Sequence, residues 1–157
     1  MTHVNADMLL TARRLFKNDP DVDRSKLVVL SELTLNDLGS DGHIDEQDFL
    51  ARADILCSLG QNVLISNYFE YYRLVEYLSR ITKGKKIGII MGIYALTKVF
   101  EEKTYENIRG GILECFASLF GSNVKLYIYP AQREDKTLFT LKDFESGLPD
   151  HLKNLFR

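Results

Sequence analysis

Four short apolar runs constrain the fold of this chain more than any other feature: Leu27-Val-Val-Leu30, Asn62-Val-Leu-Ile65, Lys86-Ile-Gly-Ile-Ile90 and Val124-Lys-Leu-Tyr-Ile128. They are rich in Val and Ile, whose branched Cβ suits extended backbone. Three are continuously apolar rather than alternating, the pattern of strands covered on both faces. Helical patterns fill the intervals. Residues 45–59 carry Phe49, Ile55, Leu56 and Leu59 on one broad face, with Gly60 as a stop. Residues 67–82 carry Phe69, Tyr72, Leu74, Val75, Tyr77, Leu78 and Ile81 before Gly84. Two more helical stretches, near residues 94–101 and 108–120, surround Gly110-Gly111, a doublet that marks a kink or a late start. An earlier helix over residues 6–17 stops before Asn18-Asp-Pro20, and residues 137–142 read as a fifth, edge strand. Strands alternating with helices of this length make βαβ units. The expected fold is a Rossmann-like three-layer α/β/α domain with a mainly parallel sheet of four or five strands.

A length of 157 residues fits one domain with a real core. Lys and Arg number 20 against 22 Asp and Glu, a net charge of −2, which gives no electrostatic reason to seek nucleic acid or an anionic membrane. No run approaches the roughly 18 apolar residues of a membrane span. The N-terminus lacks the basic-then-apolar order of a secretory signal. Cys57 and Cys115 fall in helical patterns without a short spacing, so they read as buried reduced thiols in a cytoplasmic protein. Leu148-Pro149-Asp150 opens a last helix that reaches Arg157 after barely two turns. A short helix needs packing to persist. The expectation is a single α/β domain over residues 1–157 that forms the C-terminal part of a longer protein, with a terminus docked in a groove as the other reading.

One segment, Asp37-Leu-Gly-Ser-Asp-Gly-His-Ile-Asp-Glu-Gln-Asp48, resembles a calcium loop of the EF-hand type. Asp37, Asp41 and Asp48 would stand at loop positions 1, 5 and 12, Gly42 at the turn and Ile44 at the apolar position. His43 would offer its carbonyl, and Asp45 would bind through water. Gly39 brings no ligand atom to position 3, and Asp48 reaches less far than the usual Glu. The segment follows a strand pattern rather than a helix and has no second copy. The competing reading is a strand-to-helix connection, with turns at Gly39 and Gly42 and Asp45 capping the next helix.

In an open parallel sheet, ligands bind beyond the carboxyl ends of the strands. The residues at that edge are Glu32 after the first run, Ser66, Asn67 and Tyr68 after the second, and Gly92 after the third. Ser66 and Asn67 would sit where a helix N-terminus points amides at an anion, and Gly92 would let backbone approach a bound group. Ordinary capping and turn roles explain the same residues equally simply. Tyr72 reads as core, whereas Tyr68 and Tyr71 read as core, as pocket lining or as a partner surface. Lys83, Lys85 and Lys86 precede the third run at the opposite end and read as a solvated turn.

Common nucleotide loops, the Gly-x-Ser-x-Gly elbow and a His cluster at metal spacing are missing from the sequence. Val63-Leu-Ile-Ser-Asn67 resembles the second motif of haloacid-dehalogenase-type phosphatases, but Ser31-Glu32-Leu33 lacks that family's Asp-x-Asp nucleophile. The resemblance implies kinship in fold, not catalysis. Residues 45–54, Gly60-Gln-Asn-Val-Leu-Ile-Ser-Asn-Tyr68, Tyr72-Arg-Leu74 and Gly110-Gly-Ile-Leu-Glu114 resemble an uncharacterised family of bacterial proteins. Its longer members carry automatic labels such as nicotinate-nucleotide adenylyltransferase or TonB-dependent receptor. This chain has neither the His-x-Gly-His motif of the one nor the many alternating barrel strands of the other. The resemblance implies a C-terminal module of a larger protein.

The leading functional expectation is a non-catalytic or regulatory module that packs on the rest of its own longer chain, on a protein partner or on itself. A half-site for a phosphorylated or carboxylated small molecule at the strand edge, and calcium binding through the Asp37–Asp48 segment, are the alternatives. No particular cofactor follows from the residues beyond calcium in that segment.

Overall fold

The computed structural model describes residues 2–35, 46–121 and 123–153. Helix α1 spans His3–Lys17, and the Thr2 hydroxyl caps it by accepting from the Asn5 amide at 3.2 Å. A short 3-10 turn, Arg24–Lys26, leads to strand β1, Leu30–Thr34. Helix α2, Glu46–Ser58, and strand β2, Asn62–Ser66, complete the first βαβ unit. Helix α3, Tyr71–Thr82, strand β3, Ile87–Gly92, helices α4, Ile93–Val99, and α5, Gly111–Phe120, and strand β4, Val124–Tyr129, follow. The chain continues through a small hairpin, β5 (Ala131–Gln132) and β6 (Leu138–Phe139), to helices α6, Leu141–Gly147, and α7, Asp150–Lys153.

Strand β1 pairs parallel with β2 from Leu30↔Asn62 to Thr34↔Ser66, and β3 pairs parallel with β4 from Ile87↔Val124 to Gly92↔Tyr129. The expected parallel pairing is present, but among the described residues each sheet holds only two strands. The Rossmann-like sheet of four or five strands does not form. A continuously apolar run predicts burial on both faces, and the β1–β2 pair does not have it. In β2 Ile65 is 51% exposed, and α2 is the one described helix with more than marginal contact with that pair. The expected fifth strand also dissolves: Leu138–Phe139 pairs antiparallel with Ala131–Gln132 in a sheet of its own, and Leu141 already begins a helix.

The contiguous apolar core surrounds β3 and β4 and, among the described residues, draws on those from 71 onward. Val75, Ile93, Leu96, Cys115 and Leu119 are almost wholly buried in it. The Phe100 ring meets Phe116 edge-on at 4.6 Å and Phe144 at 5.3 Å. The Tyr105 hydroxyl donates to the Val99 carbonyl at 2.8 Å, so the polar end of a buried ring is satisfied. The Gly110-Gly111 doublet is a late start: Gly111, at a φ of +57°, opens α5.

Helix α1 covers β3–β4 without joining that core. A Cβ at Gly88 would lie 2.8 Å from the Phe16 ring, so this glycine sets how closely helix and strand approach. Phe16 packs edge-on against Tyr127, and Asp19 accepts from Lys125 Nζ at 2.6 Å and from the Tyr127 hydroxyl. Tyr129 donates to Asp7, and Lys86 Nζ to the Pro20 carbonyl at 2.9 Å. No described helix is long and apolar enough to cross a membrane. Of the two cysteines, Cys115 is buried as expected, but Cys57 is exposed on α2.

Candidate functional site

The end of β2 brings part of the anticipated edge together. Ser66 is 8% exposed, and its hydroxyl donates to Glu32 Oε1 at 2.6 Å across the strand pair. The Ser66 hydroxyl oxygen also accepts from the Tyr68 amide at 3.2 Å, while the Thr34 hydroxyl donates to the Tyr68 carbonyl at 3.4 Å. These bonds turn the chain out of β2 and hold Tyr68 in place. The Ser66 hydroxyl is thereby engaged with its neighbours, with the Glu32 carboxylate as its acceptor. Asn67 is exposed beside this cluster. Gly92 belongs to the other strand pair, where it caps α4. Among the described residues each sheet has two strands, so Gly92 does not share a sheet with Glu32 and Ser66.

Tyr68 opens instead onto a surface groove of about 410 Å³ along α3, lined by Tyr68, Tyr72, Arg73, Glu76, Tyr77 and Arg80. Helical spacing produces it: Tyr72, Glu76 and Arg80 stand four residues apart, and Arg73 and Tyr77 form the adjoining row. The opposite face buries Leu74 and Val75. The Tyr68 and Tyr77 rings lie 5.6 Å apart at a 36° tilt. Arg73 Nε donates to the Tyr72 hydroxyl at 3.0 Å and pairs with Glu70 at 3.4 Å. The Tyr72 hydrogen bond, with the negative charge of Glu70 adding to it, pushes the Arg73 pKa further up and keeps it charged. A surface of Tyr and Arg has the composition of the side chains that dominate binding energy at protein interfaces.

Tyr71 turns to the core, and Tyr72 does double duty, packing on the core edge and lining the groove. Reading residues 67–82 for their polar face, and not only their apolar one, would have found Arg73, Glu76 and Arg80.

On β1, β2 and the turn that follows β2, apolar side chains face water. Phe69 is 63% exposed, Ile65 51% and Leu30 44%. Helix α2 turns Phe49 inward but leaves Leu50, Ile55 and Leu59 exposed, so its apolar face is only partly used. Of the calcium-loop residues, Asp37, Asp41 and Asp45 lie outside the described residues. Asp48 sits in the first turn of α2 and pairs with Arg52 at 2.7 Å. Among the described residues no group of three or more His, Cys, Asp or Glu side chains is placed to hold a metal ion. Comparison with protein-family models, curated proteins and solved structures returns no match.

Proposed function

We propose that this chain is a non-catalytic association module whose β1–α2–β2 unit and adjoining α3 groove pack against a second copy of the chain. One observation carries the reading: among the described residues the contiguous core is built from residue 71 onward, while the first βαβ unit adds none to it and leaves Ile65 of β2 half in water, with Phe69 exposed just beyond that strand. A two-stranded pair is marginal alone, and its unpaired edges and exposed apolar side chains gain stability from a further layer. Two features favour a second copy as that layer. The groove carries both signs of charge, Arg73 and Arg80 with Glu76, as a self-complementary twofold contact requires. The net charge of −2 offers little long-range repulsion between copies.

Sedimentation velocity over a concentration series tests this. The wild type is expected to shift from monomer to dimer with concentration. Ile65→Lys, at a position half in water, is expected to stay monomeric while keeping its circular dichroism. A wild type that remains monomeric at millimolar concentration overturns the reading.

A further inference from the structure

At the far end of α1 lies a second groove, of about 480 Å³, lined by Leu10, Arg13, Arg14, Lys17, Asn18 and Arg24. We infer that this groove is a binding site for a small anion carrying linked phosphate groups. Four cationic side chains line it, and no carboxylate is among its described lining residues. That is a local excess of positive charge in a chain whose overall balance is −2.

The acidic residues nearest in sequence are engaged elsewhere or turned away. Asp19 holds Lys125 and Tyr127, Asp23 caps the 3-10 turn and pairs with Lys26 at 3.6 Å, and Asp21 does not line the groove. Arg13 and Lys17 are four residues apart on one helix, and Arg14 and Lys17 three, so like charges repel along the groove. The negative end of the helix dipole eases this for the last turn only.

Arg24 is the preorganised element. Its Nε donates to the Lys17 carbonyl at 2.8 Å and its Nη2 to Asn18 Oδ1 at 3.0 Å, which docks the guanidinium across the helix end. A guanidinium carries five N–H donors. Two are spent on the protein, and the rest form the planar fork that matches phosphate oxygens. The groove's cations gather at one end of α1, a span that suits a compact ligand better than an extended polyanion. This site is distinct from the strand edge and does not depend on the association of copies.

The test is calorimetric titration of the full chain with pyrophosphate at low ionic strength. Saturable 1:1 binding is expected, weakened at least tenfold in Arg13→Gln and in Arg24→Gln, and unchanged in Arg109→Gln, an exposed arginine that lines neither groove. Arg13 is exposed, so Arg13→Gln tests the charge while the fold, followed by circular dichroism, is retained. Any of three results overturns the inference: no binding by the wild type, equal binding by Arg13→Gln, or binding confined to anionic vesicles or single-stranded oligonucleotides with none to pyrophosphate.

Discussion

Tyr105 and Asp19 show what single polar groups do in this molecule. Burial pushes the Tyr105 pKa up to about 12, so its hydroxyl remains a donor to Val99 across the neutral range. Tyr105→Phe leaves that carbonyl without its partner, and urea denaturation is expected to show a loss of about 1 kcal/mol. Asp19 is held below its ordinary value of 3.8, chiefly by the hydrogen bond from Lys125 and then by that from Tyr127. A pKa depressed in the folded state means that the unfolded chain takes up the proton first. The latch between α1 and β4 therefore contributes fully above the ordinary Asp value and fades as pH falls through the lower folded one. Asp19→Asn should be less stable than the wild type near neutrality, with the difference narrowing in acid. Urea midpoints measured at a series of pH values read this directly, and a difference that stays constant with pH would contradict it. Nothing in Asn18-Asp-Pro20 marks Asp19 for this role, because its partners, Lys125 and Tyr127, are more than a hundred residues away. Ser66 was legible as a residue at a strand exit, but its use as a fixed turn, donating to Glu32, depends on a register that one strand alone does not specify.

At the scale of elements, local pattern is a good guide and pairing is not. The run at residues 62–65 becomes β2 and that at 124–128 becomes β4, each with little change at its ends. By contrast Leu27-Val-Val-Leu30 supplies only the start of β1, since pairing begins at Leu30 and continues through Glu32 and Thr34. Which strands become neighbours depends on what covers each face, information that lies in distant residues. Gly88, inside β3, is the one strong tertiary signal within a described strand. Gly88→Ala would press on Phe16 and, at 3.2 Å, on Tyr127, with a cost on the order of 1–3 kcal/mol as for other overpacked sites. Hydrogen exchange is expected to accelerate in α1 while β3–β4 keeps its protection, because α1 bears on the strand from outside the main core. Uniform acceleration throughout the molecule would show instead that α1 and the core unfold as one unit.

The molecule as a whole is built unevenly. Composition and length anticipated one α/β domain, and periodicity anticipated parallel βαβ units. Neither indicated that the two units would differ so much in burial. Residues 71–152 assemble the aromatic centre of Phe100, Phe116 and Phe144, whereas among the described residues the first unit has Phe49 as its one buried large apolar side chain. Phe49→Ala should cost about 3 kcal/mol if the first unit unfolds cooperatively with the rest. If the two unfold separately, the same variant should loosen α2 and β2 alone, and residue-resolved hydrogen exchange distinguishes the cases. The association proposed above adds a further expectation: protection of β2 should rise with protein concentration in the wild type but not in Ile65→Lys.

The same unevenness has a consequence for synthesis. The ribosome delivers the first unit before the main core can assemble. At roughly 5–20 residues per second, the following 80 or so residues take on the order of 4–16 s to emerge. During that interval Leu30, Ile65 and Phe69 face the cell on a nascent chain that has no completed interior behind them. A slow stretch of translation just after β2 would lengthen the interval, and the yield of folded chain would then depend on whatever shields those side chains until β3 and β4 arrive.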